Sequence, residues 1–567
     1  MDKPWWHKAI VYQIYPKSFN DTNGDGIGDL QGIVEKMDYI KSLGVNVIWI
    51  NPIFKSPQVD NGYDVSDYYA IDPQFGTDAD MEQLIVEAKK RNLKVIFDLV
   101  VNHTSDQHPW FQEARKSLDN PYRDFYIWRD GKDGKEPNNW ASFFGGSVWA
   151  YEPLTKQYYF HLFDKKMPDL NWENPRVRTE VYKMARYWLE KGIDGFRLDA
   201  IIHLAKDQSF CDFNNPDQNE EFVIAEPCYA NLPKVHAFIR EFSQQMKRMK
   251  PDCLLIGEAA SADVELAKRY TKQDRKECDC VISFKHLDAV TFSGDTRLPK
   301  EWQEEHFDLI SFRKIMKHWQ EELYKEGWPA LFLNNHDMPR MLSRLGDPGR
   351  YRNERAKMLA TLMYLHWGMP FIFQGEEIGM TNLKLEQVED YHDSSLSASA
   401  AHLLKLGYSY EQMMHCVYTR SKHTSRGAMQ WDTSSYSGFS ATRPWLGVNK
   451  DDHRVNVQEQ ENDPNSILNY YRSLLKIRAN HQLFIEGSCR ILDVENQFIY
   501  AYERQEAGKT ALVICNFSNQ PQFIDQPDLS SWTCLLNNLG KIKYEETNRQ
   551  LAPYECYVLV KNKEEGM

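Results

Sequence analysis

Short, almost continuous apolar runs alternate along this chain with longer segments whose apolar residues recur three or four positions apart. The first kind reads as buried parallel strands and the second as crossover helices, so the alternation predicts strand–helix units repeated around a parallel sheet. Eight strand-like runs fall near residues 9–15, 45–50, 94–100, 195–198, 254–257, 280–284, 330–334 and 370–374. Helical periodicity fills the gaps, most clearly over 176–191, 235–249 and 350–367. Eight strands close a barrel, and the predicted class is α/β, a (β/α)8 TIM barrel.

Two intervals are too long for ordinary connections: 104–171, rich in Trp, Tyr and Gly, and about 381–463. The first is expected to form an inserted domain that walls the pocket. The second is expected to wall the active site within the barrel domain, which then covers 1–103 and 172–485. After a helix-like stretch at 466–480 the pattern changes to short alternating runs, such as 498–504 and 510–516, separated by turn residues. That change predicts a C-terminal antiparallel β-sandwich domain over 486–567.

Three of the apolar runs end in a carboxylate: Asp199 after GFRL, Glu258 after LLIG, and Asp337 in LFLNNHD. An unpaired carboxylate inside a core costs several kcal/mol, so such acids are expected where strands open onto substrate or solvent, at the C-terminal end of a barrel. Arg197 lies two residues before Asp199 and shares its face of an extended strand, which favours the ionised acid; a purely structural Arg–Asp pair has the same signature. Glu258 has no cation nearby along the chain, so desolvation suits it to hold a proton, although a strand-end glutamate equally caps a following helix. His336 adds a donor beside Asp337. Two ionisable acids with a neighbouring donor are the requirement of glycosidic cleavage, and a retaining mechanism needs the two acids about 5 to 5.5 Å apart.

Composition narrows the substrate. The formal charge of −13 and the absence of a basic run argue against nucleic acid, while 13% aromatic residues suit both core packing and stacking on sugar rings. Ten scattered cysteines without zinc-type spacing read as reduced thiols. The first residues lack an apolar signal core, and no stretch is apolar for long enough to cross a bilayer, so no membrane association and a cytoplasmic location are expected. The run DTNGDGIGD at 21–29 alternates oxygen-bearing side chains with glycine, as hard-cation loops do, and calcium is the expected occupant. Position twelve of that loop is Gly32 rather than the glutamate of an EF-hand.

The stretches DLVVNH at 98–103, GFRLD at 195–199, Glu258, and NHD at 335–337 resemble the four ordered signature segments of the α-amylase superfamily, glycoside hydrolase family 13. MPDLN at 167–171 resembles its fifth, and together they span nearly the whole chain. The resemblance implies Asp199 as nucleophile, Glu258 as acid/base and Asp337 as the carboxylate supporting the transition state. It also implies sugar contacts from His103, Arg197 and His336. DNGY at 60–63 and the stretch from Arg426 to Trp431 resemble the α-glucosidase and oligo-1,6-glucosidase branch. There the residues matching Asp60 and Arg426 close the pocket floor and the one matching Tyr63 stacks on the terminal glucose, which makes the enzyme exo-acting. The segment just before Arg426 departs from the branch pattern. Phe144 is expected as a further aromatic wall, and Asp21, Asn23, Asp25, the Ile27 carbonyl and Asp29 as calcium ligands, by the same resemblance.

Within that branch a valine after the nucleophile goes with α-1,6 links and a smaller residue with α-1,4; this chain has Ala200, and Met167 opens the fifth segment. The expectation is a retaining exo-α-glucosidase acting on maltose and short maltooligosaccharides, with transglucosylation at high sugar concentration. An oligo-1,6-glucosidase acting on isomaltose is the alternative. A sucrose isomerase or glucosyltransferase comes third, because 296–300 does not match the charged RLDRD stretch of the isomerases. A silent transporter-associated subunit is disfavoured, since every acid is kept.

Overall fold

A computed structural model describes residues 3–214, 221–293, 303–346, 348–392, 394–451, 453–524, 529, 531–541 and 550–562. The stretch 296–300 lies outside them. All eight expected parallel strands are present: β1 Val11–Ile14, β2 Val47–Ile50, β3 Lys94–Val100, β4 Gly195–Asp199, β5 Leu254–Glu258, β6 Cys280–Ile282, β7 Ala330–Leu331 and β8 Met369–Phe373. Their order in the sheet is β6-β5-β4-β3-β2-β1-β8-β7, the sequential order of a (β/α)8 barrel. They are almost wholly buried, as parallel strands covered on both faces are.

The chain divides into two compact units, one of Met1–Ile48, Glu87–Leu93 and Phe284–Met567, the other of Trp49–Val86 and Lys94–Ser283. In the second unit, register explains what the strand ends present. Asp98 on β3 pairs directly with Arg197 on β4, and Arg197 with Ile256 on β5, so all three side chains share one face. Asp199 and Glu258, two residues further along β4 and β5, emerge on that same face. Gly195 permits the close start of β4: a Cβ there would lie 2.0 Å from the Leu254 carbonyl oxygen.

The helix Pro175–Lys191 matches its periodicity. Asn174 caps it by accepting from the Arg176 amide, Val177, Val181, Met184, Ala185 and Trp188 form its buried stripe, and Gly192, at φ 109°, ends it. The expected helix near 235–249 is Pro233–Met249. In the inserted segment 104–171, a short helix Pro109–Ala114 packs with a three-stranded antiparallel sheet of Trp128–Arg129, Gln157–Phe160 and Trp149–Glu152. Aromatic faces hold it together, among them Phe111 stacked on Trp128 at 5.7 Å and the Arg123 guanidinium 3.4 Å above Trp128.

In the first unit β1 pairs with β8 and β8 with β7, all parallel. The interval 381–463 is more regular than its sequence suggests, because Ser394–Lys405 and Tyr410–Arg420 are helices around a small core of Tyr391, Leu403, Met413 and Val417. The second is started by a capping box between Ser409 and Gln412. The C-terminal region is an antiparallel five-stranded sheet with a separate two-stranded ladder. Its central hairpin, Ile499–Glu506 with Lys509–Asn516, turns on Ala507 and Gly508, both at positive φ, as the twist of a two-residue hairpin demands.

Candidate active site

The predicted residues form two groups, one in each unit. In the second unit, the buried Arg197 guanidinium is shared among three acids. Nη1 donates to Asp98 Oδ1 at 2.6 Å and Asp199 Oδ1 at 2.5 Å, and Nη2 lies 2.8 Å from Glu258 Oε1. Burial pulls the Arg197 pKa down, but Asp98, Glu258 and Asp199 outweigh it and hold the group above the usual guanidinium range. Asp98 feels the division of one cation among three partners: burial pushes its carboxyl up to about 6 despite Arg197 and a hydrogen bond from the Tyr63 hydroxyl. Tyr63 Oη and Asn51 Nδ2 each donate to Asp98 Oδ2 at 3.0 Å.

Glu258, which has no cation nearby in sequence, therefore has one in space. Its Oε2 also accepts the Ala200 amide at 3.0 Å. That donor is aimed by an unusual backbone, Ala200 lying in the left-handed region at φ 46°, ψ 38°, a conformation that costs a residue with a Cβ roughly 1–2 kcal/mol.

His103 is buried. Its Nε2 donates to the Tyr63 carbonyl at 3.2 Å while Asn102 Nδ2 donates to Nδ1, also at 3.2 Å. Burial lowers its pKa, so the ring is a neutral donor. Asp60 sits in a turn organised by the fully buried Asp64, which accepts the amides of Asp60 and Val59 and the Ser56 hydroxyl. The Phe144 ring, 41% exposed, meets Phe163 at 5.9 Å, and Phe163 meets His103 at 5.1 Å. Nothing in the sequence singles out Phe163; only its place among aromatic neighbours marks it.

A buried lysine escapes sequence reasoning as well. Lys206 Nζ lies 2.6 Å from Asp169 Oδ2 and donates to Asn102 Oδ1 at 2.9 Å, joining three segments: 98–103, 167–171 and the stretch after Asp199. Asn102 Nδ2 completes the triangle by donating to Asp169 Oδ2 at 3.0 Å.

In the first unit, Gln13 Nε2 donates to His336 Nδ1 at 2.8 Å, which leaves the proton on His336 Nε2, 3.2 Å from Asp337 Oδ2. Arg426 is buried. Its Nε donates to the His336 carbonyl at 2.7 Å and its Nη2 to Asp337 Oδ1 at 3.2 Å, with the guanidinium 5.1 Å from the Tyr15 ring. Arg426 thus steadies both members of the His–Asp pair, a role its sequence spacing does not reveal. Asp337 keeps 28% of its side chain exposed.

The loop at 21–29 belongs to this unit. Asp21 Oδ1 and Oδ2 accept the amides of Gly24 and Gly26 at 2.7 and 2.8 Å, and Asp29 caps the helix Leu30–Glu35 through the Gly32 amide. Its donor chemistry is all oxygen, from Asp21, Asn23, Asp25, Asp29 and the Ile27 carbonyl, which fits a hard cation. Among the described residues no three His, Cys, Asp or Glu side chains converge as a metal site. Among the described residues, no helix is long and apolar enough to cross a membrane.

A family model described as the alpha amylase catalytic domain matches residues 13–487. An oligo-1,6-glucosidase of Parageobacillus thermoglucosidasius is 44% identical over 563 residues, covering 98% of this chain and 99% of that protein. A glucan 1,6-alpha-glucosidase of Streptococcus pneumoniae is 40% identical, again over 98% of this chain and 99% of that one. The solved trehalose-6-phosphate hydrolase of Bacillus licheniformis superposes with a TM-score of 0.93 at 42% identity, covering 99% of this chain and 100% of that one.

Proposed function

Because the chain belongs to the α-amylase family, glycoside hydrolase 13, we propose that this retaining glycoside hydrolase is an exo-acting α-glucosidase that prefers α-1,6 links in short isomaltooligosaccharides. The observation that carries the chemistry is the sharing of Arg197 among Asp98, Asp199 and Glu258. The carboxylate of Asp199 attacks the anomeric carbon while Glu258 gives its proton to the departing glycosidic oxygen. A covalent glucosyl–Asp199 ester forms and the aglycone leaves. Glu258, now ionised, takes a proton from water, whose oxygen attacks the ester and releases glucose with retention and Asp199 free. Asp337, His336, His103 and Arg197 hold the sugar hydroxyls as positive charge develops on the ring, and Asp60, Tyr63, Phe144 and Arg426 bind the terminal glucose.

The 1,6-glucosidase relatives support the 1,6 preference over the maltose preference expected from Ala200. Ala200, with Met167 at the start of the fifth segment, favours a second reading, α-1,4 cleavage. One experiment tests both levels: initial rates on p-nitrophenyl α-glucoside, isomaltose, maltose, sucrose and trehalose 6-phosphate, for wild type, Asp199→Asn and Ala200→Val. Loss of about 10⁴-fold or more in D199N is expected if Asp199 is the nucleophile, and activity near wild type defeats that role. Faster maltose than isomaltose turnover, shifted toward isomaltose by A200V, would establish the second reading instead.

Structural calcium at 21–29 and a cytoplasmic site of action belong to the same proposal, the latter supported by ten cysteines that are all free thiols. If the loop holds calcium, a chelator lowers Tm and added Ca²⁺ restores it; a Tm indifferent to both rules the ion out.

A further inference from the structure

The proposed mechanism uses Asp337 and His336 but leaves unexplained what fixes the segment that carries them. The residue before it is Asn334, buried three residues past β7, and its side chain works in two directions. Oδ1 accepts the amide of Met341 at 2.5 Å, the first residue of the helix Met341–Arg344, and Nδ2 donates to Glu376 Oε2. The first bond closes residues 335–340 into a loop; the second anchors that loop to the end of β8, where Glu376 follows Gly375. Glu376 is itself held, since its other oxygen, Oε1, accepts from the hydroxyls of Tyr364 and Tyr471, the latter at 2.9 Å. Each oxygen of this carboxylate therefore has a separate job. Oε1 is fixed by two phenols, and Oε2 faces one amide.

We infer that Glu376 and Asn334 form a positioning clamp that sets the loop bearing His336 and Asp337, a role resting on the proposed function of Asp337. The alternative, a generic buried polar pair, predicts a stability effect without a specific polarity. The clamp predicts that only the direction of the amide–carboxylate contact matters. In Glu376→Gln, Oε1 can still take both tyrosines, but an amide nitrogen then faces Asn334 Nδ2, donor against donor. Asn334→Asp places two carboxylate oxygens together. The double variant N334D/E376Q restores the contact with its polarity reversed, because the introduced glutamine donates to the introduced aspartate, whose second oxygen still accepts the Met341 amide.

The test measures kcat and KM on p-nitrophenyl α-glucoside at pH 8, where the Glu376 carboxyl is mainly ionised, with thermal unfolding, for the two single variants, the double variant and Asp337→Asn. Each single change is expected to lower kcat about ten-fold or more with KM moving less, and the double variant to return within about three-fold of wild type. Should a single variant fail to fold, Asn334→Ala replaces it and must show the same loss of kcat; a cavity of about 20 Å³ beside Asn334 and Glu376 leaves room for a water to take up the freed bond. Single variants with wild-type kcat beside an inactive D337N, or a double variant no better than its worse parent, overturn the clamp alone. An active D337N overturns the reading of Asp337, and with it the purpose of the clamp.

Discussion

Two clusters of buried acids show how differently a protein can accommodate carboxylates. Around Arg197, three acids share one cation, and two of them keep an opening: the side chains of Asp199 and Glu258 are 10% and 13% exposed. Around Glu376 and Glu377, 6% and 0% exposed as whole residues against 7% for Asp199, the partners are mainly neutral. Tyr364, Tyr471 and Asn334 serve Glu376, and Tyr12 and Tyr39 serve Glu377 at 2.7 and 2.6 Å. Arg340, the nearby arginine, spends its Nη2 on the carbonyls of Gln374 and Ser425. The difference teaches that paired buried acids are not by themselves a sign of catalysis. A nucleophile needs an ionised carboxylate, which the Arg197 cation beside Asp199 supplies, whereas phenols and amides pin an acid in place.

The sharpest way to break the comparison is to remove the shared cation. Arg197→Met leaves Asp98, Asp199 and Glu258 without it and is expected to cost roughly 3–5 kcal/mol in denaturant unfolding, together with activity. A fully stable variant would show that the arginine is there for substrate alone.

Next comes the pH response of the neutral cluster. Burial, only partly offset by its three hydrogen bonds, pushes Glu376 from an ordinary 4.5 up to about 7. The folded chain therefore holds this proton more tightly than the unfolded chain. The resulting stability is complete below about pH 4.5 and lost as pH rises through about 7, a total of about 3 kcal/mol for a shift of this size. Stability curves of wild type and Glu376→Gln, taken at intervals from pH 4.5 to 8, should draw apart by that order, with the wild type losing ground at the alkaline end. Parallel curves would mean that the acid is ionised throughout. The smallest effect is expected at Tyr39→Phe, which leaves Glu377 with Tyr12 and should cost about 1 kcal/mol.

Much of this architecture was legible in the sequence because burial on both faces leaves little freedom in composition. All eight parallel strands lie where continuous apolar runs placed them, and the acids at their ends identified the face to watch. What escaped was neutralised at a distance. Lys206 looks like any surface lysine until Asp169, 37 positions away, is brought against it. Glu258 has no cation within reach along the chain, yet Arg197 reaches it from the neighbouring strand, a contact fixed by register and not by spacing. Gln13, inside β1, and Glu376, just past β8, are invisible for the same reason, since neither position along the chain shows which loop the side chain supports. The helix Ser394–Lys405 hides for another cause. Its serines and alanines carry too little apolar contrast to stand out from a loop.

The triangle of Lys206, Asp169 and Asn102 joins its three segments with a positive charge that belongs to the polypeptide. A tethered charge has no dissociation constant for its own attachment: it cannot be diluted away, sequestered or exchanged for a competitor, although burial pulls the Lys206 pKa down. Whatever a chelator does to the loop at 21–29, this junction should persist for as long as the chain stays folded.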